Sequence, residues 1–282
     1  MRLARGAYSI IGGKGGKTEQ DLYKSYIAKC EVPTSRFVDT CVGAGNITSL
    51  VAGQFEEYAI NDLDMMNVSL FYGLVKHNKE TVEQAIELEK SFEVKNGYCN
   101  LDIINSPRTF RFRNEEGRIK AAASALVYKN YLFNGAGNHM SPAKLKTRTK
   151  VWNRRYMLGM YDSLSNCQIS NIDLIKYLDR ELEDTEKMER SFYFIDPPYL
   201  EAQVNYVDSD RCTAEDFHRQ LCQRVRQLKN VMICGFESDL YTEELEAYGF
   251  YKTLICEKYV SASRQRGTRR KVKEFIWTSY PV

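Results

Sequence analysis

Histidine is scarce in this chain, with three in 282 residues at positions 77, 139 and 218, and the eight cysteines at 30, 41, 99, 167, 212, 222, 234 and 256 form no Cys-x-x-Cys pair. A structural zinc site gathers such ligands at close spacing, and a disulfide framework belongs to small cysteine-dense chains, so neither is suggested. No apolar run approaches the roughly 18 residues of a membrane-spanning helix, and no signal peptide is recognised. Charge of one sign is not in large excess either: the net value of +3 is too mild by itself to argue for a polyanionic partner. What is left is ordinary globular composition, 43% hydrophobic and 27% charged. Cysteines such as Cys234 fall inside apolar runs, as reduced core residues do. The expectation is a soluble, cytoplasmic protein with no membrane segment and no metal, long enough to bury a sizeable core.

The stretch Asp196-Pro197-Pro198-Tyr199 closes the apolar run from Ser191 to Ile195. Such a run predicts a buried strand, and two consecutive prolines end it. In an open α/β sheet ligands bind outside the carboxyl ends of the strands. Asp196 and the Pro197 carbonyl offer two acceptors, and Tyr199 offers a flat face, a set that suits a planar group bearing an NH2 such as adenine or cytosine. Taken alone, the tetrapeptide reads equally well as a strand stop with a packed tyrosine.

Upstream, Ser35 to Asp39 predicts a strand, followed by the turn Thr40 to Asn46 with Gly43 and Gly45, and a helix from Ile47. Glycines let backbone approach a ligand there, and the helix start offers N–H groups. A second strand, Tyr58 to Asn61, ends at Asp62, an acid placed to accept from ribose hydroxyls, with Asp64 as its competitor. The loop Gly12 to Thr18 falls one residue short of the Walker spacing, which sets nucleotide triphosphate binding aside. Further strands are expected over Gln168 to Asp173, Val231 to Gly235 and Lys273 to Tyr280. Helices are expected over Ala121 to Tyr131 and from a capping box at Thr213 to Lys229. The mixed-charge run Asp179 to Arg190 reads as a solvated helix face.

Residues 100 to 160 break the α/β alternation and read as an insertion. It holds Lys144, Lys146, Arg148, Lys150, Arg154 and Arg155 without an intervening acid, interleaved with Trp152 and Tyr156. A second basic cluster runs from Arg264 to Lys273 and includes Arg269 and Arg270. Unbroken positive charge with aromatics is the footprint of phosphate binding, and equally of a solvated face.

In this order the motifs resemble the α-group, Dam-type DNA adenine N6-methyltransferases of the D12 class. The resemblance includes Asn61-Asp62-Leu63-Asp64, Tyr131 to Gly135, Asp196 to Tyr199 and Gly267 to Lys271. It departs from the family at Thr40 and Cys41, where Pro and Phe are usual, and in lacking the N-terminal Trp of Trp-x-Gly-Gly-Lys. The resemblance implies a Rossmann-like class I methyltransferase α/β sheet, with a catalytic domain over 1–99 and 161–282 and an inserted, mainly helical target-recognition domain over 100–160. It implies S-adenosylmethionine held by Lys17 (or Lys14), Asp39, Cys41, Gly43, Gly45, Asp62, Ile172, Asp173 and Asp196. Catalysis would rest on Asp196, Pro197, Pro198 and Tyr199, acting on a flipped adenine in double-stranded DNA. The DNA would be held by the 144–155 basic residues with Arg269 and Arg270, and the protein is expected to be a monomer. A cytosine N4 or RNA substrate would keep the same acceptors. A binding relative without catalysis would not need Asp196, Tyr199 and Asp62 together.

Overall fold

Parallel strands covered on both faces read as short unbroken apolar runs rather than alternations, and the runs at 36–39, 191–195 and 231–236 build the centre of the molecule. The structure, a computed structural model, describes residues 14, 16–30, 34–90, 94–95, 98–99, 114–131, 161–164, 166–200, 208–259 and 271–282. In chain order its first elements are α1 (Lys17–Ile27), β1 (Arg36–Asp39), α2 (Asn46–Leu50), β2 (Glu57–Asn61), α3 (Met65–Lys76), α4 (Asn78–Lys90), β3 (Val94–Lys95), β4 (Tyr98–Cys99) and α5 (Glu115–Tyr131). There follow β5 (Gln168–Ser170), α6 (Leu174–Leu182), α7 (Thr185–Glu189), β6 (Ser191–Ile195), α8 (Ser209–Cys212), α9 (Glu215–Val225), β7 (Val231–Phe236), α10 (Asp239–Glu244), β8 (Tyr251–Tyr259) and β9 (Lys271–Thr278). Among the described residues no helix is long and apolar enough to cross a membrane.

Seven strands form one sheet in the order β5-β2-β1-β6-β7-β9-β8. β1 lies parallel between β2 and β6, with Phe37 opposite Tyr58 on one side and Phe192 on the other. β7 continues the parallel set, and β9 enters antiparallel between β7 and β8. The strand order therefore reverses at β1 and β6, the switch point where an open α/β sheet leaves a crevice at its carboxyl edge. Asp39 stands at that edge, in register with Phe194, and Asp196 follows two residues later. This is the α/β architecture the sequence implied.

By compactness the chain divides into two units. One comprises Met1–Gly15, Val42–Gln54 and Asp62–Asn171; the other comprises Gly16–Cys41, Phe55–Asn61 and Ile172–Val282. In the first, α5 packs on α3 and α4. Its Ala121, Ala122, Ala123 and Ala125 are fully buried, and Gly73 of α3 admits the close approach: a Cβ there would sit 2.2 Å from that of Ala122. α5 starts at Glu115 rather than Ala121, because its first turn is exposed and carries no apolar signal.

In the second unit side chains alternate along β1 and β6. Phe37 and Phe192 stack with centroids 6.0 Å apart, and on the same face the Tyr23 ring of α1 meets Phe194 edge-on at 5.8 Å. The other face carries Arg36, 1% exposed, which forks onto Glu181 of α6 at 2.6 and 3.1 Å. Tyr193 donates to the same carboxylate at 2.9 Å and Lys187 adds a bond at 2.9 Å. The run Asp179 to Arg190 is therefore not only a solvated face. Charge count alone could not show that α6 turns Glu181 inward onto a buried arginine. α9 does open near Thr213, but its N-cap is Ala214 and makes no side-chain bond, so the expected capping box does not form.

Candidate active site

Within the first unit, Gly43 and Gly45 take left-handed backbone conformations, with φ of 49° and 72°. The Gly45 N–H closes the turn on the Val42 carbonyl at 2.7 Å. A side chain at Gly45 is excluded, since a Cβ would lie 2.4 Å from the Phe71 ring. Asp62, directly after β2, is tied to this turn. Its Oδ2 accepts from the Gly43 N–H and from Asn67 Nδ2, each at 2.9 Å, and its Oδ1 accepts from the Asp64 N–H at 2.8 Å. Burial, and then the nearby Asp64 carboxylate, raise the Asp62 pKa, with the three hydrogen bonds pulling the other way. Asp64 is committed to structure: it caps α3 through the Met66 N–H at 2.9 Å and pairs with the buried Lys129 of α5 at 2.6 Å. Of the two competing acids, Asp62 is the one joined to the glycine turn.

Within the second unit, Asp39 is buried and Thr40, the next residue, donates from N–H and hydroxyl to the Phe194 carbonyl at 3.1 and 3.3 Å. Asn61, 1% exposed, is a connector the sequence did not single out. Its amide donates to the Thr40 carbonyl at 3.1 Å and to the Ile172 carbonyl at 2.9 Å, and its oxygen accepts the Ile172 N–H at 3.0 Å. Three chain segments at the carboxyl edge of the sheet thus share one side chain. Asp173 caps α6, accepting from the Ile175 and Lys176 N–H groups at 3.1 and 3.3 Å, and also binds Arg211 of α8. Burial would raise its pKa, but the bonds from Arg211 and the helix start outweigh it and lower it.

Asp196 follows β6 and is half-buried. Tyr199 is 8% exposed, with its ring nearly perpendicular to Phe236 of β7 at 4.6 Å. Its hydroxyl lies 2.9 Å from Asp196 Oδ1 and 2.5 Å from Oε1 of Glu274, a fully buried acid on β9. Burial, then the two carboxyls, push the Tyr199 pKa far up. His218 of α9 lies near the carbonyls of Pro198 and Cys212 and contacts the Tyr241 hydroxyl at 2.8 Å; burial lowers its pKa to about 4 against those carbonyls. The tetrapeptide is thus held from below by β7, β9 and α9.

The family model for D12 class N6 adenine-specific DNA methyltransferases matches residues 23–244. The chain belongs to this family. It is an enzyme of the kind that family describes, an adenine-specific DNA methyltransferase that uses S-adenosylmethionine. No curated protein matches it. Two solved structures of the rRNA methyltransferase aviRa from Streptomyces viridochromogenes are similar at 11% identity. One has a TM-score of 0.38 over 97% of this chain and 89% of that one, the other 0.40 over 93% and 83%.

In this D12 methyltransferase the two lysines ahead of and within the first turn of α1 differ in burial. Lys14 is 2% exposed, whereas Lys17 is exposed in the first turn of α1. A buried ammonium must be compensated where it sits, and of the two lysines Lys14 is the buried one. Cys41 is half-buried, beside Thr40. Lys144, Lys146, Arg148, Lys150, Arg154, Arg155, Arg269 and Arg270 lie outside the described residues.

Proposed function

We propose that this D12 methyltransferase transfers a methyl group from S-adenosylmethionine to N6 of an adenine swung out of a specific duplex DNA sequence, working as a cytoplasmic monomer. The observation that carries the reading is Asp196, placed at the switch point of the sheet with one carboxylate oxygen fixed by Tyr199.

The residues fit the methyl donor. The turn at Gly45 is closed to any side chain, as a backbone cradle requires, and Asp62 presents a carboxylate already oriented by Gly43, Asp64 and Asn67. Asp62 would accept from the ribose hydroxyls, and the Asn61-bound Ile172 segment with Asp173 would border the adenine ring of the donor. Lys14, rather than Lys17, would serve as the cofactor-loop lysine, with Asp39 and Cys41 lining the turn. When bound, S-adenosylmethionine supplies an electrophilic methyl group on a sulfonium.

Asp196 and the Pro197 carbonyl would each accept one N6 hydrogen of the target base. Their acceptance turns the nitrogen lone pair out of the ring and offsets positive charge as it develops on nitrogen. A paired base cannot reach such acceptors, so it must leave the stack at a cost of a few kcal/mol. Tyr199 would offer a ring face to it, held in plane by its hydroxyl. Repayment would come from phosphate contacts by the basic residues between Lys144 and Arg155 and by Arg269 and Arg270, with residues 100–160 as the target-recognition region.

Single-molecule sequencing of DNA from cells expressing the protein tests the reading, since it reports the modified base and its context together. N6-methyladenine in one sequence context, absent with Asp196→Ala, is expected. N4-methylcytosine, or modification confined to RNA, would overturn it.

A further inference from the structure

We infer that Lys129 of α5 is a positioning residue for the methyl donor: by offsetting the charge of Asp64 it lets Asp62 stand as the oriented anion that the donor's ribose requires. The inference rests on the ribose role of Asp62 proposed above.

The partners of Asp62 point to its charge. Its side chain accepts from the Gly43 N–H, the Asp64 N–H and the Asn67 amide, and all three are donors. An ionised carboxylate offers about four acceptor sites, so three donors leave room for a ribose hydroxyl. A proton would take that last site and turn it into a donor. The anion is therefore the form that can both hold the glycine turn and accept from the ribose. Burial works against it first, and the Asp64 carboxylate two residues on adds to that.

Asp64 keeps a charge of its own. Its Oδ1 accepts the Met66 N–H at 2.9 Å at the start of α3, where a helix N-terminus favours an anion, and its Oδ2 accepts from Lys129 Nζ at 2.6 Å. Side-chain exposure is 5% for Lys129 and 18% for Asp64, so little water screens the pair. Without the ammonium two carboxylates would share one partly closed site, an arrangement that raises the pKa of one of them.

α5 is fitted to α3 closely enough to deliver the ammonium. A Cβ on Gly73 of α3 would sit 2.2 Å from that of Ala122, and Arg118 Nη1 of α5 donates to the Tyr72 hydroxyl of α3 at 3.0 Å. Lys129 stands in the last turn of α5, an end that favours a cation. Gly43, Asp62, Asp64 and Lys129 all lie in one compact unit. Residues 100–160, proposed above to read the target, would thus serve the donor as well, through Lys129.

Calorimetric titration of the whole protein with S-adenosylmethionine tests the inference, with the thermal midpoint of each variant as the check on folding. Methionine keeps most of the lysine stem without its charge, and asparagine at 64 keeps the helix cap without its charge. K129M is expected to bind the donor about tenfold or more weakly, and D64N/K129M to return to within about threefold of wild type. Packing alone cannot give that rescue, since the double variant still lacks the lysine. K129M with wild-type affinity overturns the inference, and so does a weakened K129M that D64N does not restore. If K129M does not fold, D64N/K129M decides: wild-type-like affinity upholds the inference, and weak binding or failure to fold overturns it.

Methylation kinetics supply a second readout. The loss in K129M should fall on the KM for S-adenosylmethionine rather than on kcat, because Asp196 is untouched; a loss in kcat alone overturns the inference. Asp62→Ala separates this inference from the reading beneath it. If Asp62→Ala binds the donor as wild type does, the ribose role of Asp62 fails whatever Lys129 does, whereas a weak Asp62→Ala beside a wild-type-like K129M overturns the role of Lys129 alone.

Discussion

Asp62 Oδ2 accepts the backbone N–H of Gly43 at 2.9 Å, so the acid offered to the methyl donor also holds the turn that would cradle it. Asp62→Ala removes both functions. A hydrogen bond to a charged group is worth about 1.5 to 3 kcal/mol, so affinity for S-adenosylmethionine should fall by at least about tenfold. Asp62→Asn should fare little better, because its NH2 would face an N–H donor at Gly43 or at Asp64. Calorimetric titration decides: superimposable curves for wild type and Asp62→Ala would move the ribose role elsewhere.

Gly45 tests the turn from its other side. Its φ is 72°, and a Cβ added to it would stand 2.4 Å from Phe71. Alanine there meets both backbone strain and a ring that cannot retreat easily, since Phe71 is fully buried against Tyr161 at 5.8 Å. Left-handed backbone costs an L-residue about 1 to 2 kcal/mol before any clash. Gly45→Ala is therefore expected to lower the thermal midpoint and to weaken donor binding together. A variant with native affinity and midpoint would show that the turn tolerates a side chain.

What the sequence made legible follows a simple division. β1, β2, β6 and β7 are short apolar runs ended by polar or turn residues, and Asp39, Asp62 and Asp196 could be placed at strand ends from that pattern alone. Glu274 could not. In Lys271-Val272-Lys273-Glu274 it continues an alternation that looks solvent-facing, yet β9 lies between β7 and β8, and at Glu274 exposure stops. β8 hid for a related reason: a register shift between Leu254 and Cys256 leaves Leu254 exposed beside buried Ile255, which breaks the period of two. Asn61 reads locally as the polar end of a strand. Only the fold shows that it bonds residues 40 and 172 at once.

Acid should destabilise the protein through two buried groups. His218 has its pKa lowered from 6.5 to about 4 by burial, so above pH 6.5 it is neutral folded or unfolded and its packing contributes in full. As pH falls below 6.5 the unfolded chain binds a proton that the folded chain refuses, and stability should drop by about 2 kcal/mol between pH 7 and pH 5. Glu181 has a lowered pKa: burial opposes ionisation, but the bonds from Arg36 and Lys187 prevail. Its contribution is present above about 4.5, the ordinary value, and is lost as pH falls through the lower folded value. Urea unfolding at pH 7 and pH 5 measures the first window. Equal stabilities at the two values would mean that His218 is not held neutral.

Arg36→Ala leaves the Glu181 carboxylate buried without its forked guanidinium partner, held by Lys187 and by the Tyr193 and Tyr177 hydroxyls. Breaking a buried pair from one side costs about 3 to 5 kcal/mol. The same change should leave donor affinity per folded molecule unaltered, because Arg36 lies at the opposite end of β1 from Asp39. Denaturant titration beside donor binding separates these outcomes, and a stability loss below about 1 kcal/mol would contradict the role assigned to this buried pair.

Asp196 itself can be tested so that charge and shape are told apart. Asp196→Ala removes the acceptor and one partner of the Tyr199 hydroxyl, while Glu274 remains to hold the ring. Asp196→Asn keeps the shape and one acceptor oxygen but not the negative charge. Removing a group that stabilises charge developing in a transition state costs about 100- to 1000-fold in rate, so Asp196→Ala should fall by at least that in single-turnover methylation of duplex DNA. Donor affinity should stay close to wild type, since the donor's ribose is assigned to Asp62. If charge on Asp196 offsets charge on N6, Asp196→Asn should lie nearer to Asp196→Ala than to wild type; if orientation of the amino group were the whole role, it should lie nearer to wild type. A single-turnover rate for Asp196→Ala within about tenfold of wild type, roughly 1.4 kcal/mol of barrier, would remove Asp196 from the chemistry.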